Sequence, residues 1–285
     1  MSWVGAPNAP PLGELSAKLT EGVALSDQQA STPSGPLGHL PQRGRILGTQ
    51  AAHQWATSPC GSLRTVLAET EVLLRPSGAL WIEGEQTLVV ADLHLEKGSA
   101  YAARGQMLPP YDTRDTLNRL ANEVTKLTPQ KLVLLGDTFH DGGSEDRLAA
   151  DDVERLRILA TGKTLIWVVG NHDADGPRDL PGEVADELTL AGLILRHEPM
   201  PGLQLGEVAG HLHPCARVAS AKGSVRRRCF ATDGSRMVIP AFGAYAGGLS
   251  VRDAAFSGLF ARPPLIGALG TDRVHAVGWR SIIGV

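Results

Sequence analysis

The sequence predicts an α/β domain, and three observations carry that expectation. Apolar runs of strand length alternate with segments of helical spacing between residues 87 and 169. Each of those strand-like runs is followed at once by polar residues. Beyond Leu188 the helical spacing gives way to short strand-like runs broken by Gly and Pro. Crossover strands followed by hairpins predict a pair of mixed sheets and not one uniform parallel sheet. In order, Thr87-Leu-Val-Val-Ala91 reads as a buried strand. Asp112 is placed to cap a helix whose Leu117, Leu120, Ala121, Val124 and Leu127 recur at helical spacing and which ends before Pro129. Lys131 to Leu135 is the second strand, Asp151 to Ala160 the next helix, and Thr164 to Val169 the third strand. Residues 1–62 stand apart: they are rich in Pro, Gly, Ala, Ser and Gln, with Trp3 and Trp55 as their aromatics. They are expected to form a disordered or loosely attached extension, leaving residues 63–285 as the folded domain.

Composition narrows the class. With 285 residues, 42% of them apolar and 20% charged, the chain can bury one full domain core. The apolar runs Leu132 to Leu135 and Leu165 to Val169 fall far short of the roughly 18 residues that span a bilayer, so no membrane segment is expected. The opening "MSWVGAPNAPPLGEL" is broken by prolines and lacks a basic start, so no secretory signal is expected. Cys60, Cys215 and Cys229 suit a reducing cytoplasm better than a disulfide framework. A net charge of −3 does not advertise nucleic acid, although a local basic patch can still hold phosphates.

The polar residues behind the strands carry the chemistry. "ADLHLEKG" follows the first with Asp92 and His94, "LLGDTFHDGG" the second with Asp137, and "VVGNHDADG" the third with Asn171, His172 and Asp173. Later, "LRHEP" brings His197 and "VAGHLHP" brings His211 and His213. Ligands in open α/β sheets sit beyond the carboxyl ends of strands, so these clusters should converge. Taken singly, each has a bland reading: Asp92-x-His94 and Asn171-His172-Asp173 as hydrogen-bonded turns, His197 as a satisfied buried histidine. The ordered series D-x-H, G-D, G-N-H-D, H, G-H-x-H, each element after an apolar segment, is what sets them apart.

That series resembles the calcineurin-like metallophosphoesterase superfamily across about residues 72 to 250. The resemblance implies a four-layer αββα sandwich, two mixed sheets face to face with helices outside, and a dinuclear metal site along one edge. It implies that Asp92, His94 and His213 bind one metal and Asn171, His197 and His211 the other, with Asp137 bridging both. It makes His172 the acid near the leaving group and Asp173 the residue that orients it. The residue types suit that chemistry. Two cations about 4 Å apart cradle phosphate oxygens, generate the bridging hydroxide that attacks phosphorus in line, and steady the departing alkoxide. Imidazole, carboxylate and amide donors without thiolate favour two divalent ions of the Mn type, with Fe or Zn also compatible. One departure is His140, followed by Asp141, where the superfamily often has Asp or Gly. Two readings fit it: a hydrogen-bonded loop residue, or a group touching substrate or tuning the metals. The Gly-Asp-x-Val-Asp-Arg-Gly and Gly-Asn-His-Glu forms of protein phosphatases are absent from the sequence, so a phosphoprotein substrate is not expected.

A closer resemblance rests on "ADLHLEKGSAYAARGQMLPPYDT", "LLGDTFHD", "GNHD" and "RRRCFATDGSRMVIPAFGAYAGGL". Together they look like the ligase-associated DNA damage response endonuclease (PdeM) family, over nearly everything after residue 70. This resemblance implies a bacterial, metal-dependent phosphodiesterase acting on DNA, associated with an ATP-dependent DNA ligase, a helicase and an exonuclease. Lys97 and Arg104, close behind the Asp92 loop, and Arg114 are candidate phosphate contacts. The run Arg226 to Arg228 reads either as a phosphate contact or as a solvated strand. Tyr245 reads either as a base-stacking residue or as a packed hairpin residue. The alternatives are hydrolysis of a small phosphoester or nucleotide-linked pyrophosphate at the same site, and a non-catalytic scaffold binding repair partners.

Overall fold

The computed structural model describes residues 55–220 and 223–284. The expectation of disorder before residue 55 lies outside the described residues. Two mixed β-sheets form the body. Sheet 1 runs, in spatial order, β1 (Ala56–Thr57), β2 (Leu63–Leu67), β3 (Thr70–Leu74), β4 (Leu80–Ile82), β5 (Thr87–Ala91), β6 (Lys131–Leu135), β7 (Thr164–Val168) and β8 (Glu183–Ala185). Its first five strands pair antiparallel as a meander, and β5 to β8 pair parallel. Between β5 and β6 lie α1 (Lys97–Ala103) and α2 (Asp112–Leu127), and between β6 and β7 lie α3 (Ser144–Arg147) and α4 (Ala150–Ala160).

Sheet 2 is built from β9 (Glu187–Leu190), β10 (Leu193–Arg196), β11 (Glu207–Ala209), β12 (Cys215–Ser220), β13 (Gly223–Thr232), β14 (Met237–Val238), β15 (Leu265–Leu269), β16 (Val274–Val277) and β17 (Ile282–Ile283). Its order is β16-β15-β13-β14-β11-β10-β9, with β12 beside β13 and β17. Within it β10, β11 and β14 are parallel neighbours, and the remaining pairs are antiparallel.

Side-chain alternation explains why β5, β6 and β7 read as unbroken apolar runs. Val89, Ala91, Val133, Leu135, Ile166 and Val168 point between the sheets, where they meet Leu193, Leu195, Val208, Phe230 and Met237. The intervening Leu88, Val90, Leu132, Leu134, Leu165 and Trp167 face Leu117 and Leu120 of α2 and Leu156 and Leu159 of α4. Parallel strands buried on both faces need apolar residues at every position. Each leucine so buried contributes about 1.5–3 kcal/mol, so these three strands anchor the domain and hold their carboxyl ends at a common edge.

Three expectations shift. Asp112 does not cap α2: Tyr111 precedes the helix, and the Asp112 carboxylate accepts the Gly98 amide at 2.9 Å, securing the first turn of α1. The folded domain begins earlier than residue 63, because β1 pairs with β2 and Trp55 packs against the inter-sheet core. The fourth layer is not α-helical among the described residues. The outward face of sheet 2, with Val238 and Ala231, is covered instead by segments such as the single 3-10 turn Ala254–Phe256 and the following Leu259.

Candidate active site

The seven ligand-type residues of the sequence series meet at one edge. Asp92 and His94 leave β5, Asp137 leaves β6 and Asn171 leaves β7, while His197 leaves β10 and His211 and His213 follow β11. Backbone bonds lock these loops together: Asp92 N to Gly136 O at 3.1 Å, His94 N to Asp137 O at 2.9 Å, and Gly210 N to His197 O at 3.0 Å. The loops pack so closely that several of their glycines have no room for a side chain, and two of these lie between the sheets. A Cβ on Gly136 would sit 2.1 Å from Nδ1 of His197, and one on Gly210 would sit 2.5 Å from Oδ2 of Asp92. Each glycine of one sheet makes room for a ligand-type residue of the other.

Two triads result, Asp92 with His94 and His213, and Asp137 with His197 and His211, each with its potential ligand atoms within 4.8 Å of one another. In the first, Nε2 of His94 and Nε2 of His213 stand 3.3 Å apart, and Oδ1 of Asp92 is 3.2 Å from the latter. In the second, Nε2 of His197 lies 2.9 Å from Oδ1 of Asn171, 3.1 Å from Nδ1 of His211 and 3.4 Å from Oδ1 of Asp137. The other Asp137 oxygen, Oδ2, faces Nε2 of His94 at 3.9 Å. One carboxylate thus presents an oxygen to each triad.

These donors fit cations. Burial, then the neighbouring His213 and the Lys97 charge, push His94 down to about 2. Burial and then His197 also lower His211. A neutral imidazole offers a lone pair to a cation, and each of these rings lies within 3.5 Å of a second histidine nitrogen, His94 beside His213 and His211 beside His197. The donor set, imidazole and carboxylate with one amide, is that of a borderline to hard divalent metal. Asp92 and Asp137, 0% and 3% exposed, would otherwise be buried acids facing each other's surroundings.

Backbone conformation singles out the same residues. Asp92, His94, Asp137, His211 and His213 have φ of 53°, 45°, 43°, 61° and 45°. They account for five of the eleven non-glycine residues with left-handed backbone among the described residues. Each costs on the order of 1–3 kcal/mol, and such strain collects where function requires a fixed geometry.

Around the triads the outcome is mixed. His172 stands at the cleft with Nε2 3.9 Å from Oδ2 of Asp137, and its backbone amide donates to Oδ1 of Asp137 at 2.9 Å. Asp173 does not orient the His172 ring directly. Its Oδ1 accepts the Gly170 amide at 2.9 Å, and its Oδ2 accepts the amides of Thr138 and Phe139 at 2.7 and 3.1 Å. A carboxylate one residue along saturates on backbone donors, so it stitches the β6 and β7 loops together. The His172 ring is held by His140: Nδ1 donates to the His140 carbonyl at 2.8 Å and the two rings stack 5.7 Å apart. The His140 ring also lies 5.8 Å from His94 and 6.0 Å from Tyr101.

Lys97 opens α1 with Nζ 6.0 Å from the Tyr101 ring, and Arg104 lies exposed just past the same helix. Both charges act on His140, whose basicity falls first through its own burial. Arg114 is engaged elsewhere, in an ion pair with Asp152 at 2.6 Å. The arginine run is divided: Arg228 donates to the carbonyls of Ala241 and Gly243 at 2.9 and 3.0 Å, Arg226 donates to Gly248, and Arg227 is exposed. Tyr245 donates its hydroxyl to Pro109 O at 2.8 Å, which fixes the ring in its loop.

Sequence reasoning missed Glu198. Its Oε1 lies 3.2 Å from Nε2 of His211, the nitrogen that faces away from the triad. A carboxylate there fixes the tautomer that leaves Nδ1 free as a ligand. The adjacent "HE" in "LRHEP" was the available signal. Sequence reasoning also missed Arg119, whose guanidinium donates to Phe242 O and lies 4.5 Å from the Phe242 ring.

Two carboxylate and imidazole triads, with Asp137 turned toward both, lie at the edge of two facing mixed sheets, a donor set suited to the divalent cations of a metal-dependent phosphoesterase. The model of the calcineurin-like phosphoesterase family matches residues 86–234, and the chain belongs to that family. Among solved structures the chain is similar to the nuclease MPE of Pseudomonas putida, at 24% identity and TM-score 0.59, over 76% of this chain and 100% of that one. It also matches Yfce, a phosphoesterase from E. coli, at 18% identity and TM-score 0.33, over 70% of this chain and 96% of that one. No curated protein matches. Among the described residues no helix is long and apolar enough to cross a membrane.

Proposed function

We propose that this chain is a two-metal phosphodiesterase that cuts DNA, of the ligase-associated DNA damage response endonuclease type. The observation that carries the reading is the divided Asp137 carboxylate, with Oδ1 toward His197 and Oδ2 toward His94. In this reading Asp92, His94 and His213 hold one divalent ion, Asn171, His197 and His211 the other, and Asp137 both. Bound there, divalent ions, Mn2+ foremost with Fe or Zn suiting the same donors, would supply Lewis acidity toward the phosphate and would lower the pKa of a bound water. His172, its Nδ1 proton committed to the His140 carbonyl, turns Nε2 toward the leaving oxygen and gives it a proton. Asp173 keeps the loops that carry Asp137 and His172 in register. Lys97 and Arg104 attract the flanking phosphates.

The DNA assignment is supported by the sequence motifs and by the description of the Pseudomonas putida neighbour as a nuclease. Cytoplasmic action beside an ATP-dependent DNA ligase, a helicase and an exonuclease belongs to the same reading. The test incubates the Mn2+-loaded protein and its Asp137→Asn variant with single-stranded, nicked and duplex DNA, and with nucleotides and nucleotide sugars. Cleavage of DNA that falls about a thousandfold in the variant is expected, since a shared metal ligand supports several kcal/mol of transition-state stabilisation. Inert DNA beside rapid turnover of a nucleotide sugar would leave the phosphodiesterase chemistry standing and remove DNA as substrate.

A further inference from the structure

The two flanks of the cleft carry opposite charge. On the His94 and His172 side stand Lys97 and Arg104. On the His211 side stands the Glu198 carboxylate, and beyond it opens a cavity of about 640 Å³ that His211 also lines. The cavity walls are Pro199, Met200, Pro201, Leu212 and Leu259, and among the described residues no Lys or Arg lines it. That volume falls in the range of small-molecule pockets.

The walls are held in place from beneath. Arg236, 1% exposed, donates to Met200 O at 2.7 Å and to Leu259 O at 2.9 Å, so one guanidinium ties the two sides of the groove together. Its ion-pair partner Glu207, 2.6 Å away, accepts the Met200 amide at 2.9 Å through its other oxygen. The Met200 backbone is fixed at both its N–H and its C=O, while the residue remains 46% exposed. A fixed apolar groove of this kind is pre-organised for a ligand.

We propose that this groove seats a nucleobase of the DNA substrate, the base of the nucleotide beside the scissile phosphate; the inference rests on the nuclease reading and names a subsite within it. A phosphate in the groove would meet Glu198 and, among the described residues, no Lys or Arg side chain. A base is uncharged, and its flat face packs on proline rings and a thioether in a sequence-tolerant way. The groove shares His211 with the second triad, so a group covalently attached to an ester held there reaches it directly. The backbone phosphates then run toward Lys97 and Arg104, and the charge asymmetry orients the strand.

The test measures binding of the Mn2+-loaded full chain to a short thymidine strand with phosphorothioate linkages, which resist hydrolysis, and to its abasic counterpart, by fluorescence anisotropy. The thymidine strand is expected to bind about five- to tenfold more tightly, the lower part of the range for base packing on a protein face. Met200→Ser should bring the ratio near one, and Met200→Leu should retain it. Equal affinities in the unaltered protein, a preference that survives Met200→Ser, or no binding of either strand would overturn the subsite. DNA cleavage without a base preference would remove the subsite and leave the nuclease reading. A base preference without cleavage would remove the nuclease reading and, with it, the place of the groove beside a scissile phosphate.

Discussion

The two rims of the cleft contribute different chemistry. The sheet 1 rim brings Asp92 and Asp137, both buried, with His94 and Asn171, and so supplies both carboxylates of the triads. The sheet 2 rim brings the imidazoles of His197, His211 and His213. Neither rim alone contains a complete triad, because Asp92 and His94 wait for His213, and Asp137 waits for His197 and His211. The site is therefore a property of sheet alignment, and the reciprocal glycines, Gly136 opposite His197 and Gly210 opposite Asp92, are where that alignment is registered. Cations held between the rims would act as cross-links between sheets as well as catalysts.

That contrast can be broken directly. Gly136→Ala drives a methyl into the His197 ring at a position with φ of 71°. The expected result is a loss of about a hundredfold or more in phosphodiester hydrolysis, read with bis(p-nitrophenyl) phosphate, and a loss of about 1–3 kcal/mol in stability, read by denaturant unfolding. Full activity in this variant would mean that the rims are not in register as described. Chelation attacks the cross-link instead of the register. Calorimetry of metal-loaded protein before and after EDTA should show a fall in Tm of roughly 5 °C or more, reversed by Mn2+, from mass action at a saturated site. An unchanged Tm would show that the ions do not join the rims.

Smaller changes sharpen the comparison. Glu198→Gln keeps the shape beside His211 but removes the carboxylate. Hydrolysis or metal affinity should drop by about 10-fold, the low end for such a partner because Glu198 is largely exposed. A drop of the same size in Glu198→Asp would indicate that position matters more than charge. Arg104→Ala should leave hydrolysis of the small diester unchanged, weaken DNA binding across sequences, and reduce the slope of affinity against salt by about one. A steeper loss for one sequence than another would mean that Arg104 touches a base.

The parts of this molecule legible in the sequence are those fixed by burial and by side-chain chemistry. Thr87 to Ala91, Lys131 to Leu135 and Thr164 to Val168 announced themselves because strands covered on both faces must be apolar throughout. Asp92, His94, Asp137 and Asn171 share one edge because they stand directly behind those strands, and His197, His211 and His213 join them from behind β10 and β11. What stayed hidden depends on backbone partners, which leave no trace in residue type. Asp173 binds three amides, His172 leans on the His140 carbonyl, and Arg228 grips the carbonyls of Ala241 and Gly243. Asp112 looked like a helix cap for the same reason. An acid before a helical pattern is a good cap, but the Gly98 amide lies closer to hand. The outward face of sheet 2 was equally opaque, since a cover made of short turns has no period to read.

The left-handed backbone at Asp92, His94, Asp137, His211 and His213 has a consequence for how such a protein ages in evolution. Every one of these positions occupies a conformation that glycine adopts freely and other residues resist. A copy released from selection can exchange a ligand for glycine and relax the chain at that point, so loss of the site runs downhill in stability. The side chains at these five positions are thus held against the preference of their own backbone, and metal binding is the interaction that would offset that strain.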